Sequence, residues 1–241
     1  MKNVVLITGG SGEIGKYIIN KYLNEKNIVI NIDVNDIIDK LIKNNPDYTY
    51  IKTNVTKIEE LLKVKDYIKN KYGYISHIIS CAGINSKSEI NGIEMMDIGD
   101  IDKYISLNLN SHIYLTKIML ELIKNNNKQT NNSITYISSI NAIRAYGLPV
   151  YSAGKSGIYG FMRAIVKELG KKGIRVNTIS LGTVPHKDDD LNEEYFVNYM
   201  KMIALDEFVM PEDVADVLFH LTNHLKKITG QNIVLDAGQS I

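Results

Sequence analysis

Short β-branched runs alternate along this chain with longer stretches whose apolar residues recur at helical spacing. The runs are VVLIT (4–8), NIVINID (27–33), YTYIKTN (48–54), ISHIISCAG (75–83), SITYISS (133–139), IRVNTIS (174–180) and NIVLD (232–236). Between them lie segments such as KYIINKYL (16–23) and IDKYISLNLNSHIYLTKIMLELIK (101–124), with the period of amphipathic helices. Strands separated by helices predict repeated βαβ units, and so an α/β, doubly wound fold with a seven-stranded parallel sheet covered on both faces. Parallel crossovers are right-handed, so the helices change faces where the strand order reverses and a crevice opens beyond the carboxyl ends of the strands. Functional groups are therefore expected after strands one, two, four, five and six.

Two segments break this rhythm. NNNKQTNN (125–132) reads as a solvated loop before the fifth strand. The stretch 184–210 contains no strand and mixes the acidic run Asp188, Asp189 and Asp190 with apolar residues at helical spacing. It is expected to form a lid over the crevice of a chain that otherwise reads as one domain, 1–241.

Composition narrows the partners. The 241 residues are 44% hydrophobic and 23% charged with a formal charge of +1, which provides no electrostatic bias toward nucleic acid or an anionic membrane. A single cysteine, Cys81, rules out a disulfide within the chain. No apolar run approaches the ~20 residues of a bilayer span, and MKNVVLITGG lacks the apolar length of a secretion signal. The expectation is a soluble cytoplasmic protein that acts on a small molecule, with no metal site and no nucleic-acid or membrane partner.

The candidate chemistry begins at TGGSGEIG (8–15), between the first strand and the first helix. Gly10, Gly12 and Gly15 satisfy GxGxxG; Gly9, Gly12 and Gly15 satisfy GxxGxxG. Glycines so spaced let a backbone approach a pyrophosphate at a helix N-terminus, and the same glycines suit a tight strand-to-helix turn. Glu13 adds a carboxylate here. In the GxxGxxG frame it falls in the first helical turn, where the dipole tolerates it, with its side chain turned from the phosphates and Gly12 making the close approach. Asp33, 18 residues beyond Gly15, stands where a carboxylate accepts the ribose hydroxyls of a dinucleotide, or where it caps the following helix. Farther on, YSAGK places Tyr151 and Lys155 at i and i+4, after Pro149 has marked a helix start. Ser138 and Ser139 close the fifth strand at the edge of the sheet that also carries the glycine loop.

In order and spacing, these elements resemble the short-chain dehydrogenase/reductase family in its compact branch. The resemblance runs through TGGSGEIG, Asp33, NVT (54–56), CAG (81–83), NLNS (108–111), ISSINAIRAYGLPVYSAGK (137–155), RVNTISLG (175–182), MPEDVA (210–215) and ITGQNIVLDAG (228–238), which is essentially the whole chain. It implies a Rossmann fold and hydride transfer between a nicotinamide cofactor, NAD(P), and a secondary alcohol or ketone. Tyr151 is then the general acid/base. A phenol with pKa ~10 needs help near neutrality, and Lys155 supplies the positive charge and a bond to the nicotinamide ribose. Ser139 orients the substrate oxygen, and Asn108 anchors a water on the way to Lys155. The cofactor-binding set carried over is Gly9, Ser11, Gly12, Glu13, Ile14, Asp33, Asn54, Val55, Cys81, Ala82, Gly83, Tyr151, Lys155, Gly182 and Val184. Asp33 would repel a 2′-phosphate, which favours NAD over NADP. The family's pairing of its long helices implies a homodimer or homotetramer.

Several positions depart from the pattern. Ser139 lies one residue closer to Tyr151 than is usual and Ser138 restores the count, so both serines stay in play, with strand phase favouring Ser139. Cys81 stands where an asparagine is common, Asn54 replaces an aspartate and its amide is expected at an adenine amino group, and Leu181-Gly182 replaces Pro-Gly. His186 occupies the neighbourhood of a phosphate-contacting threonine. The alternatives to a general alcohol/ketone oxidoreductase are a 3-oxoacyl carrier-protein reductase and a non-catalytic dinucleotide-binding protein.

Overall fold

The structure is a computed structural model that describes residues 2–37, 39–84, 92–123, 131–144, 148–186 and 189–241. Strands β1 (Val4–Thr8), β2 (Ile28–Asp33), β3 (Tyr48–Lys52), β4 (His77–Ser80), β5 (Asn132–Ser139), β6 (Ile174–Leu181) and β7 (Asn232–Leu235) form one sheet in the order β3-β2-β1-β4-β5-β6-β7. Every pairing is parallel. The seven-stranded α/β fold expected from the sequence is the fold observed. The order reverses between β1 and β4, so the crevice lies where the chain leaves these two neighbours in opposite directions.

The helices are α1 (Glu13–Asn24), α2 (Lys40–Lys43), α3 (Ile58–Lys71), α4 (Ile98–Ile105), α5 (Ser111–Met119), α6 (Pro149–Lys171), α7 (Glu194–Met200) and α8 (Pro211–Asn223). Alternation along each strand divides the core in two. Val4 and Leu6 join Ile30, Ile78 and Ile134 under α3, α5 and α6, with Leu61, Leu115, Ile158 and Met162. Val5 and Ile7 join Val29 and Ile79 under α1 and α8, with Ile18, Ile19, Leu218 and Leu221. Both faces of β1 are thus covered, which is why VVLIT shows no polar position until Thr8. Among the described residues, no helix is long and apolar enough to cross a membrane.

Two segments differ from the sequence expectation, and a third forms a cluster of its own. The helix expected over 101–124 is interrupted by a π turn at Ser106–Asn110 between α4 and α5. The buried Asn108 at its centre exchanges two hydrogen bonds with Ile84: its Nδ2 donates to the carbonyl at 2.8 Å and its Oδ1 accepts the N–H at 3.0 Å. Such one-turn expansions serve to redirect a side chain, here toward the end of β4. The polar stretch expected as a loop over 125–132 is different at its end, where Asn132 opens β5 and is buried. Asn131 donates to the carbonyls of Thr222 and Asn223 and accepts from the buried Arg175, whose guanidinium also donates to the carbonyls of Leu221 and Thr222 near the end of α8 and of Ile228 beyond it. Residues 124–130 lie outside the described residues. Within 184–210, α7 packs through Phe196 onto Ile203 and Phe208, a small apolar cluster of its own; residues 187–188 are outside the description.

Candidate functional site

The site begins where β1 and β4 end side by side. Thr8 Oγ1 accepts from the N–H groups of both Cys81 and Ala82, at 3.1 and 3.0 Å. Gly9 follows with φ +69°, and a Cβ there would stand 2.8 Å from the backbone of Ala82. Only glycine meets both conditions. Gly15 is required differently, because a Cβ would come within 2.3 Å of the Gly9 carbonyl and 2.5 Å of Gly10 Cα. At Gly12 the nearest atom to a Cβ is 3.4 Å away. That glycine is not needed for packing.

Gly12 is also the N-cap of α1 and provides no side-chain cap. The first-turn N–H groups, which have no intrahelical partner, thus open beside it. They border a cavity of 580 Å³ walled by the glycine loop, Asp33 to Asn35, Thr53 to Thr56, Cys81 to Gly83, and Lys103, Ser106 and Leu107 of the helix across it. Glu13 stands on this wall, yet its carboxylate pairs with Lys16 Nζ at 2.7 Å, one turn on. Asp33 knits two loops: its carboxylate accepts the N–H of Ser11 and that of Asn35, each at 3.1 Å. Asn31 supports the same corner, donating to Ser11 Oγ at 3.1 Å and to the phenol of Tyr48 at 3.0 Å.

Farther along the crevice, Gly83 brings the proposed reactive groups together. A Cβ on Gly83 would lie 3.0 Å from Asn108 Oδ1 and 3.1 Å from Lys155 Nζ. Lys155 is 4% exposed, and its ammonium donates to the Ile137 carbonyl at 3.0 Å. Loss of water pushes its pKa down to about 8. The same ammonium is 5.7 Å from the centre of the Tyr151 ring, the i, i+4 neighbour on α6. The two serines separate. Ser138 is buried and donates to the Lys155 carbonyl at 3.2 Å, anchoring α6 to the sheet. Ser139 donates to Asn141 Oδ1 at 3.1 Å and accepts the Asn141 N–H at 3.2 Å, in the turn beyond the strand. Burial raises the Cys81 thiol to about 11, so it is a packed wall residue with little thiolate character.

Three expected cofactor positions also have partners within the protein. Asn54, on the cavity wall, has its Oδ1 accepting from the N–H and hydroxyl of Thr56, at 3.0 and 2.8 Å. Gly182 is a glycine because a Cβ would strike Asp236 at 2.7 Å. Val184 packs with the apolar layer under α1 and α8. Among the described residues beyond β6, the cavity wall is supplied by His186.

A family model described as short chain dehydrogenase matches residues 3–192. The chain belongs to the short chain dehydrogenase family. It is an oxidoreductase, and nicotinamide dinucleotide is the family's cofactor. Among curated relatives, the chain is 31% identical to the 3-oxoacyl-[acyl-carrier-protein] reductase FabG of Buchnera aphidicola subsp. Baizongia pistaciae, covering 98% of this chain and 97% of that one. It is 26% identical to the 7alpha-hydroxysteroid dehydrogenase of Bacteroides fragilis, covering 99% and 94%. Among solved structures, a short chain dehydrogenase from Leptospira borgpetersenii with bound NAD+ superposes with a TM-score of 0.89 at 26% identity, covering 100% and 94%. A metagenomic blue fluorescent protein in complex with NADPH has the same fold, with a TM-score of 0.88 at 18% identity over 99% and 98%.

The residues present fit a dinucleotide. The cavity follows the glycine loop from a helix N-terminus to a strand-end aspartate, and Gly12 leaves open the space a side chain would fill. The residues that sequence reading passed over are Thr8, Asn31, Lys103 and Ser106, whereas His186, named there near a phosphate-contacting position, lines the cavity. Thr8 carried a signal, since it opens TGGSGEIG; Asn31 carried another, as the polar position inside NIVINID. Lys103 and Ser106 carried none, because only the packing of α4 brings them to the cavity.

Two outcomes follow. Gly12→Ala should cost about 1 kcal/mol or less in urea unfolding yet weaken NAD+ at least about tenfold by calorimetry, while Gly15→Ala, which overpacks the loop, should cost about 1–3 kcal/mol. Unchanged NAD+ affinity in Gly12→Ala would show that no close approach occurs there. The second concerns Lys155, whose folded value of about 8 lies below its ordinary 10.5. The unfolded chain therefore holds this proton more tightly across that window, so the lysine's penalty is relieved and stability rises with pH through it. Unfolding free energies at about pH 7.5 and 9.5 should rise more in wild type than in Lys155→Met; equal slopes would contradict the buried ammonium.

Proposed function

We propose that this protein interconverts a secondary alcohol and a ketone using NAD(H), with Tyr151 as the general acid/base. The observation that carries the reading is the meeting of Asn108 and Lys155 at Gly83, with the Tyr151 ring beside the ammonium. When bound, the dinucleotide supplies or takes the hydride. The chain manages the proton. Tyr151 delivers it to the carbonyl oxygen in reduction and removes it from the hydroxyl in oxidation. The Lys155 ammonium, dry and held by the Ile137 carbonyl, favours the phenolate by proximity. Ser139 orients the substrate oxygen and Asn108 anchors the water that reaches Lys155. The segment 184–210 is the substrate lid.

NAD rather than NADP is the proposed cofactor. Asp33 already accepts two N–H groups, so its carboxylate is held at the end of β2, where it receives ribose hydroxyls and repels a 2′-phosphate. The relative with bound NAD+ supports this choice. A 3-oxoacyl thioester is the second substrate reading, favoured by the 31% identity to the carrier-protein reductases. Asp189, Asp190, Glu193 and Glu194 on the lid oppose an acidic carrier protein. Half-buried apolar residues on α5 and α6, among them Tyr114, Ile118, Tyr159, Phe161 and Ile165, support assembly into a homodimer or homotetramer. A cytoplasmic setting agrees with the one free cysteine.

Tyr151→Phe should lower turnover about 10²–10⁴-fold while leaving NAD+ affinity intact; retained turnover would remove Tyr151 from the chemistry. Steady-state efficiency should be higher with NAD+ than with NADP+, and Asp33→Ala should narrow the gap. A wild-type preference for NADP+ would reverse the assignment.

A further inference from the structure

His220 and His224 stand one turn apart at the end of α8, and both are exposed. Their Nδ1 atoms are 2.9 Å apart. The spacing is built in rather than left to loose side chains. The His224 N–H donates to the His220 carbonyl at 2.9 Å, so the helical ladder continues through the pair. Both imidazoles also lean on Phe219, with ring centres at 6.1 and 5.5 Å and interplanar angles of 73° and 88°. Phe219 is itself 8% exposed and lies edge-on to the buried Tyr22 of α1. The rings are therefore supported from the core side.

The separation has chemical meaning. Two nitrogens at about 2.0–2.1 Å from one metal stand roughly 2.9 Å apart when they are cis at about 90°, and roughly 3.3 Å apart at a tetrahedral angle. We propose that His220 and His224 form a bidentate surface site for a divalent transition metal that accepts cis ligands near a right angle, of the copper or nickel type. Imidazole suits these ions, and copper heads the affinity order. In the neutral pair one Nδ1 carries the shared proton. On binding, that ring moves its proton to Nε2, both Nδ1 lone pairs reach the metal, and no proton is released. Among the described residues no group of three or more metal-ligating side chains forms, so water completes the coordination. The end of α8 is tied by Arg175 to the start of β6, the sheet edge opposite Gly83 and the cavity. The ion thus stabilises the fold and takes no part in hydride transfer.

The test uses the untagged full chain with Ni2+ or Cu2+ alone. One equivalent of Cu2+ should show two-nitrogen coupling by electron paramagnetic resonance. Ni2+ should bind one to one and raise the melting temperature, because the folded helix alone holds the two rings at this spacing. His220→Ala and His224→Ala should each weaken Ni2+ at least about tenfold and abolish the melting shift, since a chelate becomes a single ligand. His220→Ala and His224→Ala should turn over substrate at the wild-type rate, and His186→Ala should bind Ni2+ as wild type does. The proposal fails if wild type and the double variant titrate alike, or if Zn2+ binds more tightly than Ni2+, which would contradict the cis geometry.

Discussion

The structure depends on the contact between the ends of β1 and β4. Thr8 Oγ1 receives the N–H groups of Cys81 and Ala82, and Gly9 lies so close to Ala82 that no side chain fits between them. Two adjacent parallel strands whose chains depart in opposite directions would otherwise leave their terminal N–H groups unpaired at the mouth of the crevice. One hydroxyl satisfies two of them. It also sets the heights of both loops, the glycine loop on one side and Cys81 to Gly83 on the other. From there the geometry propagates: Gly15 seats α1 against the loop, and Gly83 opens the space reached by Asn108 and Lys155.

The second constraint is dryness. Among the described residues no carboxylate pairs with the buried Lys155, and its ammonium relies on the Ile137 carbonyl. A cation so placed costs stability, and its depressed pKa reports that cost. The surrounding scaffold holds it. Ser138 pins the lysine's own carbonyl to β5, and the π turn pulls Asn108 inward until its amide pairs with Ile84 like an added strand residue. Desolvation of this kind gathers at functional corners because the chemistry needs a charge where water is scarce.

Much of this was legible beforehand. The seven strands fall within a few residues of the β-branched runs, because parallel strands covered on both faces need apolar residues at nearly every position. Pro149 marked the start of α6, as its ring suits a first helical position. The less legible features involve distant partners. The π turn depends on Ile84, 24 residues from Asn108. Gly182, expected as a cofactor glycine, also has a packing reason to be glycine, because Asp236 arrives from beyond β7. The hydrogen bonds that Asn54 Oδ1 accepts from Thr56 could not be read from residue type alone. The polar run before β5 looked featureless, yet Asn131 helps to close the end of α8.

The sequence alone determined the alternation of strands and helices, the glycine spacing after β1, and the pairing of Tyr151 with Lys155 on one helical face, since each depends on neighbours within a turn or a strand. Tertiary structure decided which glycines face protein and which face open space, which of two adjacent serines is spent on α6, and that Glu13 stands on the wall of the cavity. Those outcomes depend on what other segments bring within a few ångströms. Local spacing cannot encode that distance; packing of the whole sheet does.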